Sequence, residues 1–184
     1  MDSRRSGVYI GKMNEEAISE FVRLADKPEL SQEDKLRLYG EGPWVYEVDH
    51  VSFNHAGLPC IIRRVRLGGH FCGYVAVPPG HRLHGCSFEV AARHVRAHGG
   101  VNSAVECNVI EGVCHVPAPG EPDDVWWFGF DCAGSRDLSP GDAHLFEGWE
   151  LTIYREGGKV YRDLAYVKGA VRSLAEQLAG SADG

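Results

Sequence analysis

What the 184 residues lack narrows the field before any motif is read. Six cysteines are present, Cys60, Cys72, Cys86, Cys107, Cys114 and Cys132, but no CxxC pair occurs among them. The usual spacing of a zinc-binding or redox thiol pair is therefore missing. No run approaches the ~20 apolar residues that a bilayer-spanning helix needs. The opening stretch MDSRRSG has no apolar core of the kind an export signal carries, so a cytoplasmic protein is expected. In that compartment a disulfide framework is not expected, and most of the cysteines, Cys132 excepted, read as small buried apolar residues. Positive charge is also short: 19 Lys and Arg against 26 Asp and Glu leave a net charge of −7. A nucleic-acid polymer is a poor partner for that balance, since backbone binding needs clustered positive charge. One local basic run, Arg63, Arg64 and Arg66, keeps a small anionic ligand in play. There is no internal repeat and no sign of a second domain.

What is present reads as an α+β fold: a single domain with a mostly antiparallel sheet, short N-terminal helices and a long C-terminal amphipathic helix. Residues 1–12 read as a flexible leader and 13–180 as the globular domain. NEEAISEFVRLADK places Ile18, Phe21, Val22 and Ala25 on one helical face, and SQEDKLRLYG carries a Ser31 cap, Asp34 three residues on and a Gly40 stop. WVYEVDHVSF, CIIRRVRLGG and HFCGYVAVPPGH follow as strands, the first two joined through HAGLP. SFEVAARHVRAHGG fits a short helix or an extended stretch, and VNSAVECNVIEG another strand. VPAPGEPDD is a surface loop, VWWFGFDC an apolar strand central in its sheet, and LSPGDAHLFEGWE a loop. In KVYRDLAYVKGAVRSLAEQLAG, Leu164, Val167, Val171, Leu174 and Leu178 form a helical stripe that Gly180 ends.

Chemistry concentrates in three segments. WWFGFDCAGSRD runs from an apolar strand into Asp131 and Cys132, where the chain leaves the sheet. Cys132 is either a nucleophile with a lowered pKa or a packed residue, and Asp131 either orients a histidine or caps the turn. Trp126 and Trp127 face opposite sides of one strand. One belongs to the core, and the other offers a flat face to a ligand or is buried as well. In RHVRAHGG, His98 is the best general acid or base, because free imidazole titrates near neutrality. Gly99 and Gly100 let a ligand or another backbone come close. If the segment were helical, His94 and His98 would share a face, a weak metal signal without further ligands. HRLHGC, with Cys114 and His115, matches no standard zinc spacing, so no metal is expected. Arg162 and Asp163 open the last helix, as a cap and ion pair or with Arg162 reaching an anion.

Together AHGG, WWFGFDCAGSRDLSP and YRDLAYVKGAVRSLAEQL resemble a family of small proteins encoded by bacteriophages, prophages and actinobacterial genomes. Its patterns are HGG, WWFGFDCAHAGD and YRDLxYV before a terminal amphipathic helix. The resemblance covers roughly the second half of the chain, with GYVAVPPGH as a further element upstream. His98, Gly99 and Gly100 match the first motif. Trp126, Trp127, Gly129, Asp131, Cys132 and Asp137 match the second, and Tyr161, Arg162, Asp163 and Tyr166 the third. Gly134 departs from the pattern, which has a histidine there. The resemblance implies a phage-type accessory protein, in the host cytoplasm if phage-encoded, but no established activity. The expectation is a hydrolase acting on a small anionic, nucleotide-derived metabolite, in antagonism of host defence. His98 would be its acid or base, Asp131 the orienting partner, and Cys132 the nucleophile or a wall. Gly99, Gly100, Trp126, Trp127, Asp137 and Arg162 would bind the ligand. The alternative is a non-enzymatic protein that sequesters a ligand or blocks a host protein; self-association into a homo-oligomer stays open, and so does the identity of any cofactor.

Overall fold

A capping box sets the start of the helix α1 (Gln32–Tyr39) in a computed structural model of the chain. The Asp34 amide donates to Ser31 Oγ at 3.1 Å, and the Ser31 amide donates back to Asp34 Oδ2 at 3.1 Å. Gly40, at φ 68°, ends the helix as expected. The structure describes residues 29–107, 119–145 and 158–181, together with positions 19, 24, 27, 113, 114 and 117. The leader and most of the helix expected over residues 14–27 lie outside the described residues. Leu24 is fully buried and packs with Leu30, Leu38 and Tyr39.

Among the described residues, five strands form one antiparallel sheet: β1 (His50–His55), β2 (Leu58–Arg64), β3 (Phe71–Val77), β4 (Ser103–Glu106) and β5 (Trp126–Asp131). Their order is β1-β2-β3-β5-β4. β1 and β2 close through Ala56 and Gly57, at φ 51° and 79°. Two consecutive positive φ values are what a two-residue hairpin turn requires. The expected first strand, from Trp44, begins only at His50, and Pro43–Val45 is a 3₁₀ turn. The alternation across residues 44–49 looked strand-like, but the carboxylates of Glu47 and Asp49 are bound to Arg64. β5 is flanked on both sides, although β3 holds the centre.

Alternation along β5 splits the core. Phe128 and Phe130 face one side with Ile62, Phe71 and Val75, and Trp127 faces the other with Ile61, Cys72 and Tyr74. The long helix α4 (Leu164–Gly180) covers the first side and buries Val167, Val171, Leu174 and Leu178. Full burial of such side chains is worth roughly 1.5–3 kcal/mol each before entropy is subtracted. A Cβ on Gly73 would lie 2.5 Å from Val171 Cγ2, so β3 needs glycine there for α4 to dock. Between β3 and β4 the segment SFEVAARHVRAHGG is helical only over α2 (Phe88–Ala91) and then turns. After β5, a short helix, α3 (Pro140–Leu145), stands where a loop was expected. Pro140 opens it with a preset φ and no amide to leave unpaired, a start signal that the Pro-Gly pair disguised as a turn.

Cys60, Cys72 and Cys132 are buried and free, and Cys86 is half-buried. Cys107 and Cys114 depart from the expectation by forming a disulfide, seven residues apart in sequence. Among the described residues, no helix is long and apolar enough to cross a membrane.

Candidate functional site

Three separate stretches of chain deliver their polar side chains to the start of α4. Backbone bonds from Leu138 N to Val160 O and from Val160 N to Arg136 O, both 2.9 Å, pin the loop after β5 beside the helix entrance. Asp163 caps α4 by accepting the Tyr166 amide at 2.8 Å, as its place in the sequence suggested. The segment before β4 is clamped along the helix by Gln177, whose side chain bonds both the amide and the carbonyl of Arg96, at 2.7 and 2.9 Å. Gly99 and Gly100, at φ 64° and 96°, then turn the chain and leave open space where a Cβ would stand.

The result is a relay centred on an imidazole. His98 Nε2 lies 2.8 Å from Asp137 Oδ2, and His98 Nδ1 lies 2.8 Å from the Tyr166 hydroxyl. Asp137 is also held by Arg162, whose Nε donates to Oδ1 at 2.8 Å, and by the Gly134 amide, which donates to Oδ2 at 3.1 Å. Burial alone would raise the Asp137 pKa, but hydrogen bonds from Arg162 and His98 outweigh it and hold the carboxyl below its ordinary value. The ionised carboxylate accepts only, so Nε2 of His98 carries a proton. In the neutral imidazole Nδ1 is then free to accept the Tyr166 proton. Asp137 is 5% exposed and His98 13%, whereas Tyr166 is 43% exposed, so the hydroxyl is the outward end of the chain of bonds. The Arg162 guanidinium stacks over the Tyr166 ring at 4.8 Å.

Several expected site residues fall elsewhere. Asp131 is not the orienting acid of His98. It pairs across the ladder with Cys72, on the Trp127 side of the sheet, and accepts from Asn102 Nδ2 at 2.7 Å and the Ala133 amide at 3.1 Å. The His98 ring packs near Phe130, on the helix side. Cys132 is 1% exposed, and burial, with the nearby Asp137, pushes its thiol well above the ordinary range. It therefore packs and is no nucleophile. Trp127 is fully buried in the opposite core and cannot wall a pocket. Trp126 is half-buried, gives its indole N–H to the Cys86 carbonyl at 2.9 Å, and starts the strand about 13 Å, four residues, from Phe130.

His94 lies beyond α2, so it forms no helical pair with His98. His81 and His84 bond the backbone carbonyls of Leu178 and Asp124, at 3.0 and 2.8 Å. Among the described residues, no three His, Cys, Asp or Glu side chains group as a metal site would require.

The sequence reading missed the role of Tyr166 as His98's partner. Its signal was the closeness of Arg162 and Tyr166 in sequence across the Asp163 cap of α4, which lets the guanidinium reach the tyrosine ring. Also unanticipated was a second polar cluster around Arg64. That buried side chain donates from Nε to Asp49 at 2.8 Å, from Nη1 to the Gly69 carbonyl and the Tyr161 hydroxyl, both 2.7 Å, and from Nη2 to Glu47 at 3.0 Å. Tyr161 donates in turn to Glu47, whose other oxygen takes the Leu164 amide at 2.8 Å. Compared with known proteins, the chain matches no family model, no curated protein and no solved structure.

Proposed function

We propose that the Tyr166–His98–Asp137 relay is an acid–base site for hydrolysis of a small anionic, nucleotide-derived ligand. The observation that carries this reading is the bonding of one imidazole to a buried carboxylate on one side and an exposed hydroxyl on the other. Asp137 fixes the tautomer and favours the imidazolium as it forms. A water attacking the ligand gives its proton to the Tyr166 oxygen as the Tyr166 proton passes to His98 Nδ1. The new bond joins the water oxygen to the attacked atom, and the bond to the leaving group breaks. The leaving group takes the proton back through Tyr166, which restores the neutral imidazole. Arg162 spends Nε on Asp137 and keeps its outer nitrogens for the charge of the ligand. The resemblance to phage-encoded proteins suggests the setting: an accessory protein in the host cytoplasm that removes a host signalling nucleotide.

A second reading, a binding protein without turnover, is favoured by one fact. Both His98 nitrogens and both Asp137 oxygens already have partners, so the cluster is complete as a clasp. The test incubates the purified protein with nucleotides and cyclic dinucleotides and separates products and retained ligand by chromatography. Turnover that disappears in both His98→Ala and Asp137→Asn supports the hydrolase. Retention of an unchanged ligand supports sequestration. If no ligand is altered or retained, both small-molecule readings fall, and a host protein is the remaining partner.

A further inference from the structure

The basic run at the end of β2 leads to a second site, away from the relay. A cavity of about 200 Å³ opens at the β1–β2 edge, lined by Leu30, Tyr39, Asp49, His50 and the three arginines Arg63, Arg64 and Arg66. At ~30 Å³ per water it has room for six or seven waters, and it is below the roughly 300–1,000 Å³ typical of sites for drug-sized ligands. That volume suits a compact ion with part of its hydration shell.

The charges in the lining are not balanced. Asp49 Oδ1 is already shared between Arg64 Nε and Lys35 Nζ, both at 2.8 Å. Arg64 is spent on its own partners. Arg63 and Arg66 form no ion pair among the described residues, and Arg63 Nε and Arg66 Nη1 are buried with no hydrogen-bond acceptor. Arg66 uses Nη2 on the Lys27 carbonyl, which holds its side chain in place but leaves its charge uncompensated. Buried N–H groups of a guanidinium are costly to leave unbonded, and an oxyanion satisfies them and offsets the charge together. His50 stands directly across the ladder from Arg63 and contributes a further donor at the exposed edge. Two arginines without carboxylates are a marked local excess in a chain of net charge −7.

We propose that this cavity binds a free oxyanion of phosphate size, held by Arg63 Nε and Arg66 Nη1. The site shares no residue with the relay and does not depend on any activity there.

The test titrates inorganic phosphate into the full chain. It follows heat by calorimetry and the arginine side-chain Nε–H resonances by NMR. The expected result is saturable one-to-one binding with a shift of the Arg63 Nε–H signal. Affinity should fall at least tenfold in Arg63→Gln and be kept in Arg162→Gln. If Arg63→Gln does not fold, the NMR shift in the unaltered chain still decides. The site is overturned if phosphate fails to saturate below ~0.15 M, where exposed charges are largely screened. It is equally overturned if the Arg63 signal stays still or if binding is lost in Arg162→Gln.

Discussion

Two polar clusters grip the first turn of α4, and they are built on opposite terms. Around Arg64 the guanidinium is 1% exposed, its donors are occupied, and its charge and that of Lys35 are matched by Glu47 and Asp49. Around His98 the carboxylate is equally deep, but the bonds lead outward to a tyrosine 43% exposed and an arginine 24% exposed. A cluster closed on itself can only hold elements together. One that ends in solvent can exchange a proton with something that arrives. The contrast predicts that damage to the first costs stability, and that damage to the second costs chemistry out of proportion to stability.

The strongest break in that contrast is Arg64→Ala. It strands Glu47 and Asp49 and removes the link among β2, the 3₁₀ turn and the entrance of α4. Breaking a buried ion pair from one side costs about 3–5 kcal/mol, so urea unfolding should show a loss of that order. A loss below ~1 kcal/mol would show that water reaches this cluster and that the two are alike.

Asp137→Asn comes next. General acid–base assistance contributes roughly 10²–10⁴-fold, and the rate of the proposed hydrolysis should drop by that order. Asp137 also gives the fold a pH signature. Its native carboxyl sits below the ordinary value, so its stabilisation is fully present above the unfolded pKa of ~3.9. That stabilisation is lost as pH falls through the lower native value. Acid unfolding of Asp137→Asn should therefore be shallower than that of the unaltered chain. Tyr166→Phe is the sharper probe, since it removes only the outward hydroxyl. Stability should change by no more than about 1 kcal/mol, while the rate falls ten-fold or more. Equal rates would leave the hydroxyl no part in the reaction.

The sequence made the architecture readable where period and caps agree. Ser31 with Asp34, the stripe from Val167 to Leu178 and the apolar run of β5 all stand as expected. Period misled where polar atoms had long-range business. Trp44 to Asp49 alternates like a strand, yet a buried arginine on β2 claims two of its carboxylates. The site was legible in its members rather than in its pairings. His98, Asp137 and Arg162 were singled out and do meet. Asp131 has the chemistry to orient a histidine, but strand alternation turns it to the face away from His98. Cys132 drew attention through its chemistry, while its burial depends on how α4 packs, which spacing along one strand does not encode. Cys132→Ala tests this last point. It should cost about 1 kcal/mol as a small core deletion and leave the proposed hydrolysis unchanged, with no fast labelling of the Cys132 thiol in the native chain.

The smallest effect belongs to Gly134, three residues before Asp137 in the loop after β5. A Cβ built there lies 3.0 Å from Asp137 Oδ2, and no positive φ requires glycine. Any penalty for Gly134→Ala is therefore steric and falls on the one carboxylate oxygen that His98 uses. That oxygen can yield only by stretching bonds to His98 and the Gly134 amide, while Arg162 holds its twin. Gly134→Ala should cost roughly 0.5–1 kcal/mol, on the scale of weakening a single hydrogen bond, and move the Asp137 pKa upward. Carboxyl-detected NMR titration reads that shift directly. An unmoved pKa with unchanged stability would mean that the loop after β5 gives way before the carboxylate does. In that case the relay owes its geometry to Arg162 before α4 and Tyr166 on it, and a histidine at position 134 would be tolerated beside it.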